Sequence, residues 1–327
     1  MSEIDSLRKD LPHLIVLVAL VVILLVVLTK FQWIHCSQIP GWCNAYCSVI
    51  TRSHSRVGLV SGEDGIGDPQ ALYNIIQRER GYTYLEQVGL SQLSSGSLKG
   101  YDLVILEKMK TVSSREAKAI KDYVDRGGSV LWIGDAATVQ IPDQYDLLKA
   151  REANATFYDK LYRAVASKNE TLEDQYAKDQ IKRWEDTDDY KILVRAGLQK
   201  EYDATGAVKD RPSPTPSFEK LKDVLGARYV ETRKLSTPVD FEVYDRNHYL
   251  TRGLKARFTA DPGSFAEVAE DASRVTKIAG LKTPDGKTYP FILEARYTGR
   301  VVFFAYPLEA SNSTTLVGNV VDYLVPC

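Results

Sequence analysis

Tyr123-Val124-Asp125-Arg126-Gly127-Gly128-Ser129-Val130-Leu131-Trp132-Ile133-Gly134-Asp135 decides the fold, because it carries a helix end into a strand through a single Gly-Gly turn. Just upstream, Ser113 and Glu116 have capping-box spacing, and Ala117, Ile120 and Val124 make one apolar stripe that Gly127-Gly128 stops. Ser129 to Ile133 then reads as a strand ending at Gly134-Asp135. Working outward toward the N-terminus, Val57 to Val60 is a first strand leading into the loop Ser61-Gly62-Glu63-Asp64-Gly65-Ile66-Gly67. Asp68 caps the next helix with Pro69 in its first turn, where the missing N–H costs nothing. Tyr82 to Val88 is a second strand, and Asp102 to Leu106 a third, apolar enough to be buried on both faces. Short apolar runs alternating with helical periods imply β-α units stacked around a largely parallel sheet.

Downstream the rhythm breaks. Asp143 to Arg211 holds 15 acidic and 13 basic residues, yet Leu147, Tyr158, Leu161 and Val165 keep helical spacing, as do Leu172, Tyr176 and Trp184. This is the pattern of a helical insertion with solvated faces, ending in the stiff Arg211-Pro212-Ser213-Pro214-Thr215-Pro216. A helix over Phe218 to Leu225 closed by Gly226 and strands near Ala227 to Glu231 and Val239 to Tyr244 resume the domain. Turns at Asp285-Gly286 and Thr298-Gly299 join further strands, the last being Val301 to Tyr306. A final helix carries Leu316, Val320, Tyr323 and Leu324 on one face.

The N-terminal segment is of a different kind. Residues 11–29 contain no Asp, Glu, Lys or Arg, and Leu14 to Leu28 is an unbroken run of Leu, Ile, Val and Ala, long enough as a helix to span roughly 28 Å of hydrocarbon. Thr29-Lys30-Phe31-Gln32-Trp33 lacks the small residues of a signal cleavage site, so an uncleaved anchor is expected, with Phe31 and Trp33 at the headgroups. Arg8 and Lys9 before the span, against Lys30 after it, place residues 1–10 in the cytoplasm and the large domain outside, at the cell membrane. Cys36, Cys43, Cys47 and Cys327 are then disulfide candidates, three of them in a juxtamembrane linker over residues 30–55. The alternative is free thiols or a metal site leaning on His35. Asn154, Asn169 and Asn312 begin Asn-x-Ser/Thr sequons and are candidate glycosylation sites. A cytoplasmic ligand-sensing domain is the opposite topology.

With 42 Lys+Arg against 43 Asp+Glu the net charge is −1, which argues against nucleic acid as a partner. The 44% apolar and 26% charged composition excludes wholesale disorder and a polytopic membrane protein.

Tyr123 to Gly128, followed by a strand running into Gly134-Asp135, resembles the class I glutamine amidotransferase-like superfamily, nearest its trehalose-utilisation-like proteins and β-galactosidase trimerisation domains. Asn247-His248-Tyr249-Leu250-Thr251-Arg252-Gly253-Leu254 is similar to the His-Pro-x-Thr-x-Gly-Leu segment of those branches, and Gly299-Arg300-Val301-Val302-Phe303-Phe304-Ala305 to their Gly-Arg-Val-x-Tyr-Phe strand. The resemblance covers Arg56 to Ala137 and Phe218 to Leu324. It implies a flavodoxin-like, doubly wound, mostly parallel sheet over residues 56–327, to which the residue patterns add the charged helical insertion 143–216, unmatched by the resemblance, and one transmembrane helix in front. Hydrolytic members of the superfamily carry a Cys in a Gly-Ile-Cys-Leu-Gly elbow. In this chain Trp132-Ile133-Gly134-Asp135-Ala136 puts Gly134 at that position, and no Cys occurs from Ser48 to Pro326, so a Cys-His-Glu triad cannot be assembled.

Ligands of open α/β sheets bind beyond the carboxyl ends of the strands, where Gly62, Glu63, Asp64, Asp135 and His248 form the candidate pocket. Glu63, Asp64 and Asp135 could serve as acid and base in a membrane-tethered hydrolase or carbohydrate-active enzyme; the plainer reading makes them a capping residue and a solvated turn. No dinucleotide fingerprint or Walker motif is present, and His248 has no neighbouring His or Cys, so no cofactor and no metal are expected. The reading is a non-catalytic binding or assembly module outside the cytoplasm, held to the bilayer through residues 11–29 and meeting a protein or glycan through its insertion.

Overall fold

The computed structural model describes residues 3–30, 42, 46, 55–81, 83–199, 218 and 221–325. Cys36, Cys43, Cys47, Cys327, His35, Phe31, Trp33, Tyr82, most of the 30–55 linker and the Pro-rich exit of the insertion lie outside them. The first helix, α1, runs Glu3–Lys30. Its stretch Pro12–Thr29 has a mean hydropathy of 3.0, long and apolar enough to cross a membrane, as an anchor or a signal sequence would be.

The domain is mixed α/β around a nine-stranded sheet ordered β2-β1-β3-β5-β13-β12-β11-β8-β9. Five strands form a contiguous parallel block: β2 (Tyr84–Gly89), β1 (Arg56–Ser61), β3 (Leu103–Glu107), β5 (Ser129–Ile133) and β13 (Arg300–Phe304). β3 and β5 are buried at every position, which explains their unbroken apolar runs. The remaining strands, β12 (Thr288–Arg296), β11 (Val275–Lys282), β8 (Val239–Val243) and β9 (Arg257–Ala260), continue the sheet antiparallel, so the parallel character stops at β13.

Helices cover both faces. On one, Leu72 and Ile76 of α2 (Pro69–Glu79) and Leu316, Val317, Val320 and Leu324 of α8 (Thr314–Leu324) pack on Leu59, Ile105 and Leu131. On the other, Ala117, Ile120 and Val124 of α3 (Ser114–Asp125) meet Val104, Leu106, Val130 and Trp132. The expected capping box is formed, Ser113 Oγ accepting from Glu116 N and Glu116 accepting from Ser113 N at 2.6 Å. Trp132 fits the core because its indole N–H donates to the Ala136 carbonyl at 2.8 Å and Phe218 meets it edge-on.

Several elements depart from the sequence reading. The second strand begins at Tyr84 and ends at Gly89. Within the expected Phe218–Leu225 helix, the described helical residues are Lys222–Leu225 (α7). β7 (Ala227–Lys234) does not join the main sheet; it pairs antiparallel with β10 (Ser264–Glu270) as a ribbon over the α3 face, tied to the sheet by Ala266 N donating to Ala305 O at 2.8 Å. β4 (Thr111–Ser113) and β6 (Val139–Ile141) form a small parallel pair that the sequence reading left as loop.

The insertion is helical as expected: α4 (Gln144–Lys168), α5 (Gln175–Glu185) and α6 (Asp188–Arg195). Leu161, Val165 and Ala177 make one apolar cluster and Trp184, Tyr190 and Val194 another, both apart from the two sheet cores. Phe157 joins them, stacked on Trp184 at 5.0 Å. Because these clusters are local, Trp184→Ala should loosen α4–α6 by about 3 kcal/mol while the sheet keeps its stability. Segment-resolved hydrogen exchange checks this; a matching loss of protection in β3 and β5 would contradict it.

Candidate functional site

The carboxyl ends of β1, β3 and β5 bring three segments together: the loop Gly62–Gly67, residues 107–111, and Gly134–Ala137. The β1 loop lies across the other two. Gly62 N donates to Lys108 O at 3.0 Å, and Lys110 N to Asp64 O at 2.9 Å. The Asp64 carboxylate accepts from Thr111 N at 3.1 Å and Thr111 Oγ1 at 2.6 Å. Asp135, 2% exposed, accepts from Ile66 N at 2.9 Å and Thr232 Oγ1 at 3.0 Å, with Lys110 Nζ at 3.7 Å. Gly62, Asp64 and Asp135 are therefore assembled, but both carboxylates fasten backbone. Glu63 is exposed on the same loop.

Gly134 makes a sharp left-handed turn directly after β5. Its φ is +61°, and a Cβ there would lie 2.3 Å from Ile66 Cγ1. The space beside the Gly134 Cα is filled by Ile66, whose own N–H is held by Asp135. Two non-glycine residues beside it, Lys108 (φ +51°) and Ala137 (φ +54°), are also left-handed, a conformation costing about 1–3 kcal/mol each that persists only where the surroundings enforce it.

The sequence reading missed Glu107 and Glu309. Glu107 closes β3 and is wholly buried, with both carboxyl oxygens unpartnered. Gly67 presses on it, since a Cβ there would come within 2.5 Å of Glu107 Oε1. Glu309 lies in the turn Glu309–Ser311 after β13; Oε1 accepts from Asp68 N at 2.7 Å, and Oε2 is buried without a partner. Burial, then the facing Glu309 and Asp68, pushes the Glu107 carboxyl well above the usual range, and burial likewise raises Glu309. The available signal was an acid closing a run of buried-strand residues; nothing in the sequence marks Glu309.

His248 belongs elsewhere. Its Nδ1 accepts from Leu250 N at 3.3 Å, so Nε2 is the protonated nitrogen facing Glu294 Oε2 at 3.3 Å on β12. Burial raises the Glu294 carboxyl, but hydrogen bonds from His248 and the Tyr323 hydroxyl outweigh it and hold the group below the ordinary carboxylate value. With both ring nitrogens engaged, His248 is a structural histidine. Among the described residues no cluster of three or more His, Cys, Asp or Glu is placed to hold a metal. Of the sequon asparagines, Asn154 accepts from Trp184 Nε1 at 3.1 Å, whereas Asn169 and Asn312 are exposed left-handed turn residues.

No family model matches the chain, and no curated protein matches it. Among solved structures it is similar to a protein described as ThuA-like from Bacteroides uniformis, at 12% identity over 82% of this chain and 89% of that one, TM-score 0.46. A second protein so described, from Parabacteroides merdae, matches at 11% over 84% and 90%, TM-score 0.42. A β-galactosidase from Bacillus circulans sp. alkalophilus matches at 11% over 83% of this chain but only 31% of its own, TM-score 0.48. ThuA-like proteins belong to the class I glutamine amidotransferase-like superfamily. At these identities and TM-scores the likeness transfers no residue role.

The contact between Ile66 and Gly134 is open to a double-mutant cycle. Gly134→Ala should cost roughly 2–5 kcal/mol, the sum of left-handed strain and overpacking. Ile66→Ala should return at least about 1 kcal/mol of that in the double variant. Additive denaturation free energies would contradict the contact.

Proposed function

We propose that the chain is a membrane-anchored, catalytically silent α/β module that works by binding, offering its helical insertion to a protein or glycan partner outside the cytoplasm. The observation that carries this reading is Ile66 seated over left-handed Gly134, where a hydrolytic relative would hold its nucleophile. The parallel order β2-β1-β3-β5-β13, with helices on both faces, supports a flavodoxin-like, doubly wound core of the amidotransferase-like kind. The insertion suits a contact role: it has its own apolar clusters, and Tyr145, Leu148 and Tyr162 are each more than half exposed. The apolar side chains of α1 from Leu14 to Leu24 are exposed, in keeping with a lipid environment. A disulfide framework through Cys36, Cys43, Cys47 and Cys327 remains part of the proposal. The hydrolase alternative through Glu63, Asp64 and Asp135 loses its footing, since the last two are committed to Thr111, Ile66 and Thr232.

Two measurements test the proposal. Full-length protein in detergent is expected to hydrolyse glutamine, glycosides and esters no faster than buffer; an enzyme-like rate abolished by Asp135→Asn would overturn the silent reading. Translated into microsomes, the chain is expected to resist alkaline extraction and to acquire glycans at Asn169 or Asn312. Asn154, pinned by Trp184, should stay bare. A protease-accessible, unglycosylated domain would reverse the topology.

A further inference from the structure

We propose that Glu107 and Glu309 share one proton and form a pH-sensitive latch, fastening the segment 308–312 to the start of α2 in acid and releasing it as the pH rises. Asp68 is committed as the helix cap, its Oδ1 accepting from Gln70 N and Ala71 N at 3.1 Å. Its own N–H reaches across to Glu309 Oε1 at 2.7 Å, so Glu309 bridges the start of α2 and the turn after β13. Glu107 receives no donor at all: it is 0% exposed and both its oxygens are unpartnered. A buried carboxylate with neither solvent nor donor is far costlier than a neutral acid. A proton on Glu107 neutralises it and supplies a donor to the neighbouring Glu309, whose Oε2 is buried without one.

The other charged and titratable groups facing the pair are few. Asp68 opposes ionisation of both carboxyls, Lys108 weakly favours that of Glu107, and the Tyr306 hydroxyl faces Glu309. Gly67 closes the space above Glu107, and Lys108 is held left-handed directly after it, so the carboxyl cannot relieve itself by moving away. When the shared proton leaves, two adjoining buried carboxylates and Asp68 repel one another. The strain falls on the short turn Glu309–Ser311, which the Asp68 N–H to Glu309 hydrogen bond joins to the start of α2.

The sign follows from linkage. A carboxyl whose value is raised in the folded state stabilises it fully below the ordinary carboxyl value, and this contribution is lost as the pH climbs through the raised value. Each pH unit crossed between the two multiplies the opening equilibrium by about tenfold.

The test is hydrogen exchange on the full-length chain in detergent from pH 5 to 8, corrected for intrinsic rates. Opening of segments 308–316 and 66–72 should rise at least about tenfold over this range in the wild type. In Glu107→Gln, whose amide donates to Glu309 at every pH, both segments should stay protected throughout. A pH-independent wild type, or a Glu107→Gln variant that keeps the wild-type pH dependence, would overturn the latch. Should that variant fail to fold, infrared spectroscopy of the wild type decides: a buried protonated carboxyl band at pH 6 that disappears in Glu309→Gln supports the shared proton, and its absence from the wild type refutes it.

Discussion

Ile66 packing over the left-handed turn at Gly134 is the contact around which the carboxyl edge is organised. It requires a residue without Cβ at position 134, since any other would meet Ile66 at 2.3 Å. It also requires the Ile66 backbone to be fixed, which Asp135 does from inside the core through the Ile66 N–H. Once the loop is seated, Asp64 latches Thr111, Gly62 N–H finds Lys108 O, and Gly67 comes down on Glu107. One turn, one apolar side chain and one buried carboxylate thus bring the half-buried β1 loop down over the carboxyl ends of β3 and β5.

This arrangement gives the buried charges their meaning. Asp135 is paid in hydrogen bonds for its burial, whereas Glu107 receives none. The same loop therefore leaves one buried carboxyl supplied with donors and the other without any, and burial raises the second well above the usual carboxylate range. The two left-handed residues nearby, Lys108 and Ala137, fall where the chain leaves β3 and β5 to accommodate the loop.

Much of the fold was legible because the physics is local. β3 and β5 are buried on both faces and so appear as plain apolar runs, the Ser113–Glu116 box announces α3, and the charged insertion keeps helical spacing. What escaped depends on distant partners. β7 has an ordinary strand pattern, and only the arrival of β10 draws it into a separate ribbon. Glu107 looks like a strand end in water until Gly67 and Glu309 cover it. The contacts of Asp135 depend on Ile66 and Thr232, and those of His248 on Glu294, partners that lie far off in the sequence.

The insertion shares little with this core, keeping its own apolar clusters and its exposed tyrosines. The most direct test of a closed crevice is native-state exchange of the Ile66 amide compared with that of Ile105 in β3. If the loop is packed interior, Ile66 should be protected to an extent comparable with the core strand; exchange at the rate of a free surface loop would mean that the crevice is open and that the account of a silent site is wrong.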